Sequence, residues 1–343
     1  MLQATRRAFL SLRQSRVAPT EECWLHVNRT AMACRFEVTL QMSTQNGVSV
    51  ASEALDQVEA IEQQLSVFKD ESAVSLLNRE AAFRPVRVER PLFDLLSLCR
   101  ELHDETEGAF DITSGPLTRC WGFLKREGRL PSPTEIEHAR FSVGSDKLVL
   151  DAASSTVRFK QPGVEINLGS IGKGYALDVV SQHFKKANEP ALLSAGASSF
   201  LAIGPERRWL VGIRQPFSKQ KRLAGVRLRD GAMSTSGSEE QFFESGGRRF
   251  GHIIDSRTGW PAEKISSVTV IADSAACSDA LATAFFVGGR ELAERYCEDH
   301  RDVLAIMLEA DSSVPILIGD SKHCQVDFTQ SRKEQAKTQR ESF

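Results

Sequence analysis

The chain reads as an α+β protein, one large domain of mixed sheets with flanking helices, rather than a doubly wound parallel sheet. Three observations carry this. Segments with the two-residue period of half-buried strands and segments with helical spacing both occur, but they do not alternate regularly as βαβ units would. The 343 residues are 41% hydrophobic and 26% charged, ample for a sizeable core. No low-complexity linker and no repeat of fixed period divides the chain.

Taken in order, residues 35–41 set Phe36, Val38 and Leu40 against Arg35, Glu37 and Thr39, the alternation of a strand. Residues 52–65 place Leu55, Val58, Ile61 and Leu65 at helical spacing. Residues 91–106 repeat that spacing with Phe93, Leu95, Leu96, Leu98 and Leu102, stopping at Gly108. Residues 147–150, 156–160 and 164–168 read as short strands, the last running into the glycine-rich segment 169–174. A helix follows with Ala176, Val179, Val180, Phe184 and Ala187 on one face. Further strands are expected at 209–214, 223–228, 250–254 and 267–272. Ser278 is then expected to cap a helix over 279–287, ended by Gly288 and Gly289.

The domain is expected over 25–328, between a basic leader (1–24) and a polar tail (329–343), both disordered. Thr5-Arg6-Arg7-Ala8-Phe9-Leu10 resembles the start of a twin-arginine export signal. The apolar stretch such a signal needs is interrupted by Arg13, Gln14, Ser15 and Arg16. The cytoplasm is therefore the expected compartment, with export through a degenerate leader kept as the alternative. No run is long and apolar enough to span a membrane.

Lysine plus arginine number 43 against 45 aspartates and glutamates, a formal net charge of -2, and no basic stripe stands out. Nucleic acid is thereby excluded as an expected partner. The seven cysteines have irregular spacings and no Cys-x-x-Cys pair, which argues against a disulfide framework or a zinc site. Most are expected to be small buried apolar residues.

Four segments carry chemistry. In Gly169-Ser170-Ile171-Gly172-Lys173-Gly174, glycines and a lysine between strand and helix let backbone amides approach an anion. Its spacing fits neither the nucleotide P-loop nor the dinucleotide fingerprint, so a plain tight turn stays open. Asp279 and Thr283, at i and i+4 of a helix, present hard oxygen ligands of the kind magnesium takes, or else a cap and a face-filling residue. In Gly251-His252-Ile253-Ile254-Asp255-Ser256-Arg257-Thr258-Gly259, a strand ends in a turn where Asp255 can bond its own backbone, and His252 is a candidate base or a structural histidine. Gly108-Ala109-Phe110-Asp111 is a loop whose aromatic and carboxylate could hold a ring or simply pack.

Together and in this order these segments resemble the FAD:protein FMN transferase family, the ApbE family, over residues 28–308. The resemblance also rests on Met32, on Leu65-Ser66-Val67-Phe68 with Asn78, on Asp178, on Thr235-Ser236-Gly237 and on Asp279-Ala280-Leu281-Ala282-Thr283-Ala284. It implies a single ApbE-like domain with an FAD cleft between its halves. The implied activity is Mg²⁺-dependent transfer of the FMN moiety of FAD to a threonine or serine hydroxyl of an acceptor protein, with release of AMP. By the same likeness, Met32, Phe68, Ala109, Phe110, Asp111, Asn167, Lys173 and Ile254 line the FAD site. Ser170, Asp279, Ala282 and Thr283 hold Mg²⁺, the first and third through carbonyls. Lys173 faces the phosphates, and His252 is the expected base, with Asp255 or Asp111 as substitutes.

This chain departs from the family's pattern in four places. Asn167 stands where aspartate is usual, Ser170 replaces a glycine, and Phe68 replaces a tyrosine. Ala197-Ser198 interrupts an Ala-Gly-Gly-Asp pattern, removing its acid. Two alternatives are a FAD pyrophosphatase giving FMN and AMP, and a non-catalytic FAD-binding or carrier protein. The implied acceptor carries a flavinylation motif and is a redox subunit; a homodimer is left open.

Overall fold

The computed structural model describes residues 9–10, 23–218 and 220–328. The tail expected over 329–343 lies outside them, as does the leader expected over 1–24 apart from Phe9–Leu10, Cys23 and Trp24.

The centre is an antiparallel sheet. Its strand order is Phe9–Leu10, Trp24–Ala31, Cys34–Gln41, Ala191–Ala195, Ser199–Ile203, Ala232–Gly237, Ile265–Ala272, Leu304–Glu309 and Ile316–Gly319. Every pairing in it is antiparallel, so the fold is α+β and not a doubly wound sheet. The helices are α1 (Gly47–Leu65), α2 (Ala73–Glu80), α3 (Arg90–Glu105), α4 (Gly115–Cys120), α5 (Pro133–Phe141), α6 (Gly172–Ala187) and α7 (Ala275–Asp299).

Sheet and helices bury two apolar layers. On one face α1, α6 and α7 close the main core, where Phe36, Leu55, Phe184, Phe285 and Phe286 are all but inaccessible. On the other face lies a three-stranded sheet of Trp209–Arg214, Arg222–Leu228 and Cys324–Phe328, ordered with the middle one at the centre. Its alternation of buried Trp209, Val211 and Ile213 with outward Leu210, Gly212 and Arg214 is what packing on a single face requires. A smaller cluster of Leu117, Trp121, Phe123, Ile136, Phe250 and Ile254 sits apart and forms the far rim of the cleft described below.

Four expectations are corrected. Residues 164–168 are extended but not a strand, apart from a single bridge between Glu165 and Ser114. The Asn78 side chain serves this backbone instead, donating to the Ile166 carbonyl (2.9 Å) and accepting from the Ile166 N–H (2.7 Å). The strand expected over 250–254 is two pieces, Arg248–Gly251 and Ile254–Asp255, each paired with a different partner. The cysteines are mostly half-buried, with Cys99 buried and Cys23 exposed, and all seven are free.

The fourth correction concerns α7. It begins at Ala275, not Asp279, and its cap is Ser274, whose hydroxyl accepts from the Cys277 N–H at 3.2 Å. Ser278 instead turns inward and donates to Ser234 Oγ at 2.9 Å. The Asp178 carboxylate of α6 accepts from the Ala275 N–H (2.9 Å), the Ala276 N–H (2.8 Å) and the Ser274 hydroxyl (2.7 Å). A carboxylate at a helix N-terminus satisfies orphan donors and complements the dipole. Helix α7 is also interrupted, as expected, at Gly289, whose φ of 74° is not helical, and then resumes to Asp299.

Candidate functional site

A cleft of about 440 Å³ opens where the N-terminal ends of α6 and α7 meet, between the main sheet and the Trp121 cluster. One wall is set by Gly174. Its N–H donates to an Asp279 carboxylate oxygen at 3.1 Å, which joins the glycine-rich turn to α7. Lys173 then points its ammonium at the other Asp279 oxygen, 3.9 Å away, which also accepts from the Ser199 hydroxyl at 3.3 Å.

Asp279 is buried, and burial pushes its carboxyl up, against the Lys173 charge and the two hydrogen bonds. The Asp279 charge in turn holds the Lys173 ammonium above its ordinary value, opposed by burial. Asp279 lies in the second turn of α7, and the orphan donors of that helix are already met by Ser274 and Asp178. Capping therefore does not account for a charge that is costly to bury.

One turn on, the Thr283 hydroxyl lies 3.3 Å from Ser236 Oγ, and both line the cleft. Asp279, Thr283 and Ser236 thus offer a carboxylate and two hydroxyls, and Ser170 lines the same cleft. This is a hard, oxygen-only set with few protein donors. Among the described residues no group of three His, Cys, Asp or Glu side chains converges. Such a set suits Mg²⁺, which keeps waters and takes one or two carboxylates alongside substrate phosphates.

Across the cleft stands His252. Its Nδ1 lies 3.1 Å from the Gln241 carbonyl, which assigns the N–H to that nitrogen and leaves Nε2 with its lone pair. Burial pushes the imidazole below its ordinary value, reinforced by Lys173 and opposed by the Glu240 carboxylate and the Gln241 bond. A neutral imidazole with a free ring nitrogen is the form a general base needs.

The expected residues divide by place. Met32, Phe68, Ala109, Asp111, Asn167, Ser170, Lys173, His252, Ile254, Asp279 and Thr283 all line this one cleft, although they come from six different segments. Phe110 does not line it, being buried in the core, and neither does Ala282, buried on α7. Asp255 is also off the lining, its two oxygens held by the Arg257 guanidinium at 2.9 Å each. Asp111 faces the cleft but is occupied, one oxygen accepting from the Thr113 N–H (2.8 Å), the Thr113 hydroxyl (2.6 Å) and the Ser145 hydroxyl (3.0 Å).

Met32 is placed by a two-residue hairpin turn. Met32 and Ala33, at φ 49° and 57°, link Trp24–Ala31 to Cys34–Gln41. Such turns favour Asn-Gly, and L-residues there cost on the order of 1 kcal/mol each or more. The Met32 N–H donates to Glu62 at 2.8 Å, which secures the turn. Phe68, 72% exposed, leaves a bare ring face at the same rim.

The cleft also holds residues that the sequence does not assign to a site: Cys34, Arg126, Ser236, Glu240 and Gln241. Ser236 had a signal, since Thr235-Ser236-Gly237 is one of the segments carrying the resemblance. Glu240 and Gln241 lie between strands, where no periodicity marks them.

The profile of the ApbE family matches residues 32–308. Among curated relatives, the FAD:protein FMN transferase of Treponema pallidum is 32% identical over 299 residues, 82% of this chain and 83% of that one. The FAD:protein FMN transferase of Klebsiella pneumoniae is 29% identical over 269 residues, 78% of this chain and 84% of its own length. Among solved structures, the ApbE protein of Thermotoga maritima superimposes with a TM-score of 0.79 at 28% identity, covering 87% of this chain and 97% of that one.

Proposed function

The chain belongs to the ApbE family, and from that premise we propose that it moves the FMN moiety of FAD to a serine or threonine hydroxyl of an acceptor protein, in a Mg²⁺-dependent reaction that releases AMP. One observation carries the reading. The Lys173–Asp279 pair with the Thr283 and Ser236 hydroxyls lies in the same cleft as His252, whose Nε2 has no hydrogen-bond partner among the described residues.

The ends of FAD would rest against Met32, Phe68, Ala109 and Asn167, with Lys173 and the rim residue Arg126 supplying positive charge for the pyrophosphate. Mg²⁺ would be held by Asp279, Thr283 and the Ser170 carbonyl. The chemistry it supplies when bound is neutralisation of charge on phosphate oxygens. His252 Nε2 takes the proton of the acceptor hydroxyl as its oxygen bonds to the flavin-side phosphorus. The bridging P–O bond breaks and AMP departs. Little covalent work falls to the protein, whose task is alignment and charge. The acceptor class that fits is a flavin-carrying redox subunit.

The test is incubation with FAD, Mg²⁺ and such an acceptor domain, followed by intact mass measurement. Covalent FMN on a hydroxyl residue is expected. Free FMN and AMP with an unmodified acceptor would instead establish hydrolysis.

Removing the imidazole in His252→Ala is expected to slow transfer by about 100-fold or more, as loss of a general base does. FAD affinity should hold, because His252 contributes a proton acceptor and not a binding contact. The base works only when neutral, and burial has lowered its affinity for protons. Wild-type activity should therefore fall on acidification only below the ordinary imidazole value of 6.5. An acid limb above that value, or an unslowed variant, removes His252 from the role.

A further inference from the structure

Beside the cleft runs a second groove of about 260 Å³, below the roughly 300–1,000 Å³ of small-molecule pockets. Thr235 and Glu240 line both spaces, so the two are continuous. The junction lies at the reacting end of the cleft, since the Glu240 carboxylate acts electrostatically on both Lys173 and His252.

One wall is the strand Trp209–Arg214, contributing Gly212, Ile213 and Arg214. Among the described residues it is the outer strand of its sheet and pairs only with Arg222–Leu228. An outer strand offers unpaired backbone groups to an added extended chain. The opposite wall is the turn carrying Ala197 and Ser198, with Gly237 at the end of its strand. This is the segment where the chain loses the acid of the family's pattern.

The groove is also charged without being neutralised from within. Arg214, Glu239 and Glu240 line it, and none forms an ion pair among the described residues. A narrow, strand-edged, charged groove opening beside a base and a phosphate-facing lysine suits a polypeptide presenting a nucleophile better than a second nucleotide.

We propose that this groove seats the hydroxyl-bearing segment of the acceptor protein as an extended chain along Trp209–Arg214, with Arg214 and Glu239 pairing its charged side chains, and delivers the hydroxyl past Glu240 and Thr235 into the cleft. The proposal rests on the transfer reading above. It assigns acceptor recognition to residues that do not line the FAD cleft.

Two variants test it. Arg214→Glu reverses an exposed charge. Gly237→Phe narrows the groove, and a Cβ at Gly237 meets nothing nearer than the Ser266 carbonyl at 3.6 Å, so the backbone there has room for the first side-chain atom; a thermal melt of the variant checks that it folds. The acceptor used is the protein that gains covalent flavin fluorescence when wild-type chain, FAD and Mg²⁺ are added to an extract of cells lacking this chain, purified from that extract. Each variant is expected to raise the KM for this acceptor by about tenfold or more, with FAD affinity and kcat at saturating acceptor unchanged. An unchanged acceptor KM in both variants overturns the groove assignment alone. Weakened FAD binding also overturns it, because the groove then belongs to the FAD site. If the wild-type chain labels no protein at all, the transfer reading falls and takes this proposal with it.

Discussion

Asp279→Ala is expected to abolish Mg²⁺-dependent turnover of FAD while leaving the protein folded. The carboxylate is buried at the start of α7, and burial works against its charged form. It is therefore a net cost that the fold bears, only partly offset by Lys173 at 3.9 Å and two hydrogen bonds. Alanine would strand the Gly174 N–H, about 1–3 kcal/mol, but would also remove the desolvated charge. Lys173 is partly exposed to the cleft and can keep its ammonium hydrated. These changes oppose one another, so Tm should move by only a few degrees.

Activity has no such compensation. The substitution takes away the only carboxylate in the proposed Mg²⁺ set and the group that positions Lys173. A loss of several kcal/mol of charge stabilisation in the transition state corresponds to about 1,000-fold or more in rate. Thermal melts alongside FAD turnover at varied Mg²⁺ check both halves. Turnover equal to wild type would refute the metal assignment. Asp279→Asn, which keeps the hydrogen-bonding shape and loses the charge, should match the alanine variant in activity and the wild type in stability.

How much of this was legible in the sequence depended on what each residue does. The strand at 35–41 and the helices containing Leu55 and Phe93 declared themselves, because one face of each meets the core and the period survives in the sequence. The start of α7 did not. Ser278 and Asp279 look like a cap and a first-turn acid. The true cap, Ser274, is completed by Asp178 from α6, a contact across 96 residues that no local pattern encodes. Extended residues 164–168 looked like a strand because their side chains alternate, whereas their backbone partner is the Asn78 side chain. The site was legible as a set of segments but not as a place. Lys173, Asp279 and His252 became a cleft only through the packing of α6 on α7 and the rim built around Trp121. Glu240 and Gln241, on an irregular connection, carried no signal.

Gly174→Ala separates that packing from helix propensity, because the two predict opposite signs. Within a helix, glycine to alanine stabilises by up to about 1 kcal/mol. At Gly174, however, a Cβ would lie 2.0 Å from the Ala275 carbonyl oxygen, 2.5 Å from its carbon and 2.8 Å from Ala276 Cα. All three are backbone atoms, so no side chain can swing aside. The Asp178 bonds pin the N-terminus of α7, so α6 and α7 must separate and those bonds must stretch or break. Overpacking against backbone, with loss of a buried hydrogen-bond network, should destabilise by at least about 3 kcal/mol. Gly251→Ala is the matched control, since a Cβ there meets nothing within 4 Å and the φ is ordinary. Denaturant melts should show Gly174→Ala far below wild type and Gly251→Ala close to it; a Gly174→Ala protein as stable as wild type would mean the helices do not meet as closely as described. In any Gly174→Ala protein that folds, FAD turnover should fail as well. The glycine that lets α6 touch α7 is also what sets Lys173 beside Asp279, so stability and activity are lost together here, where Asp279→Ala separates them.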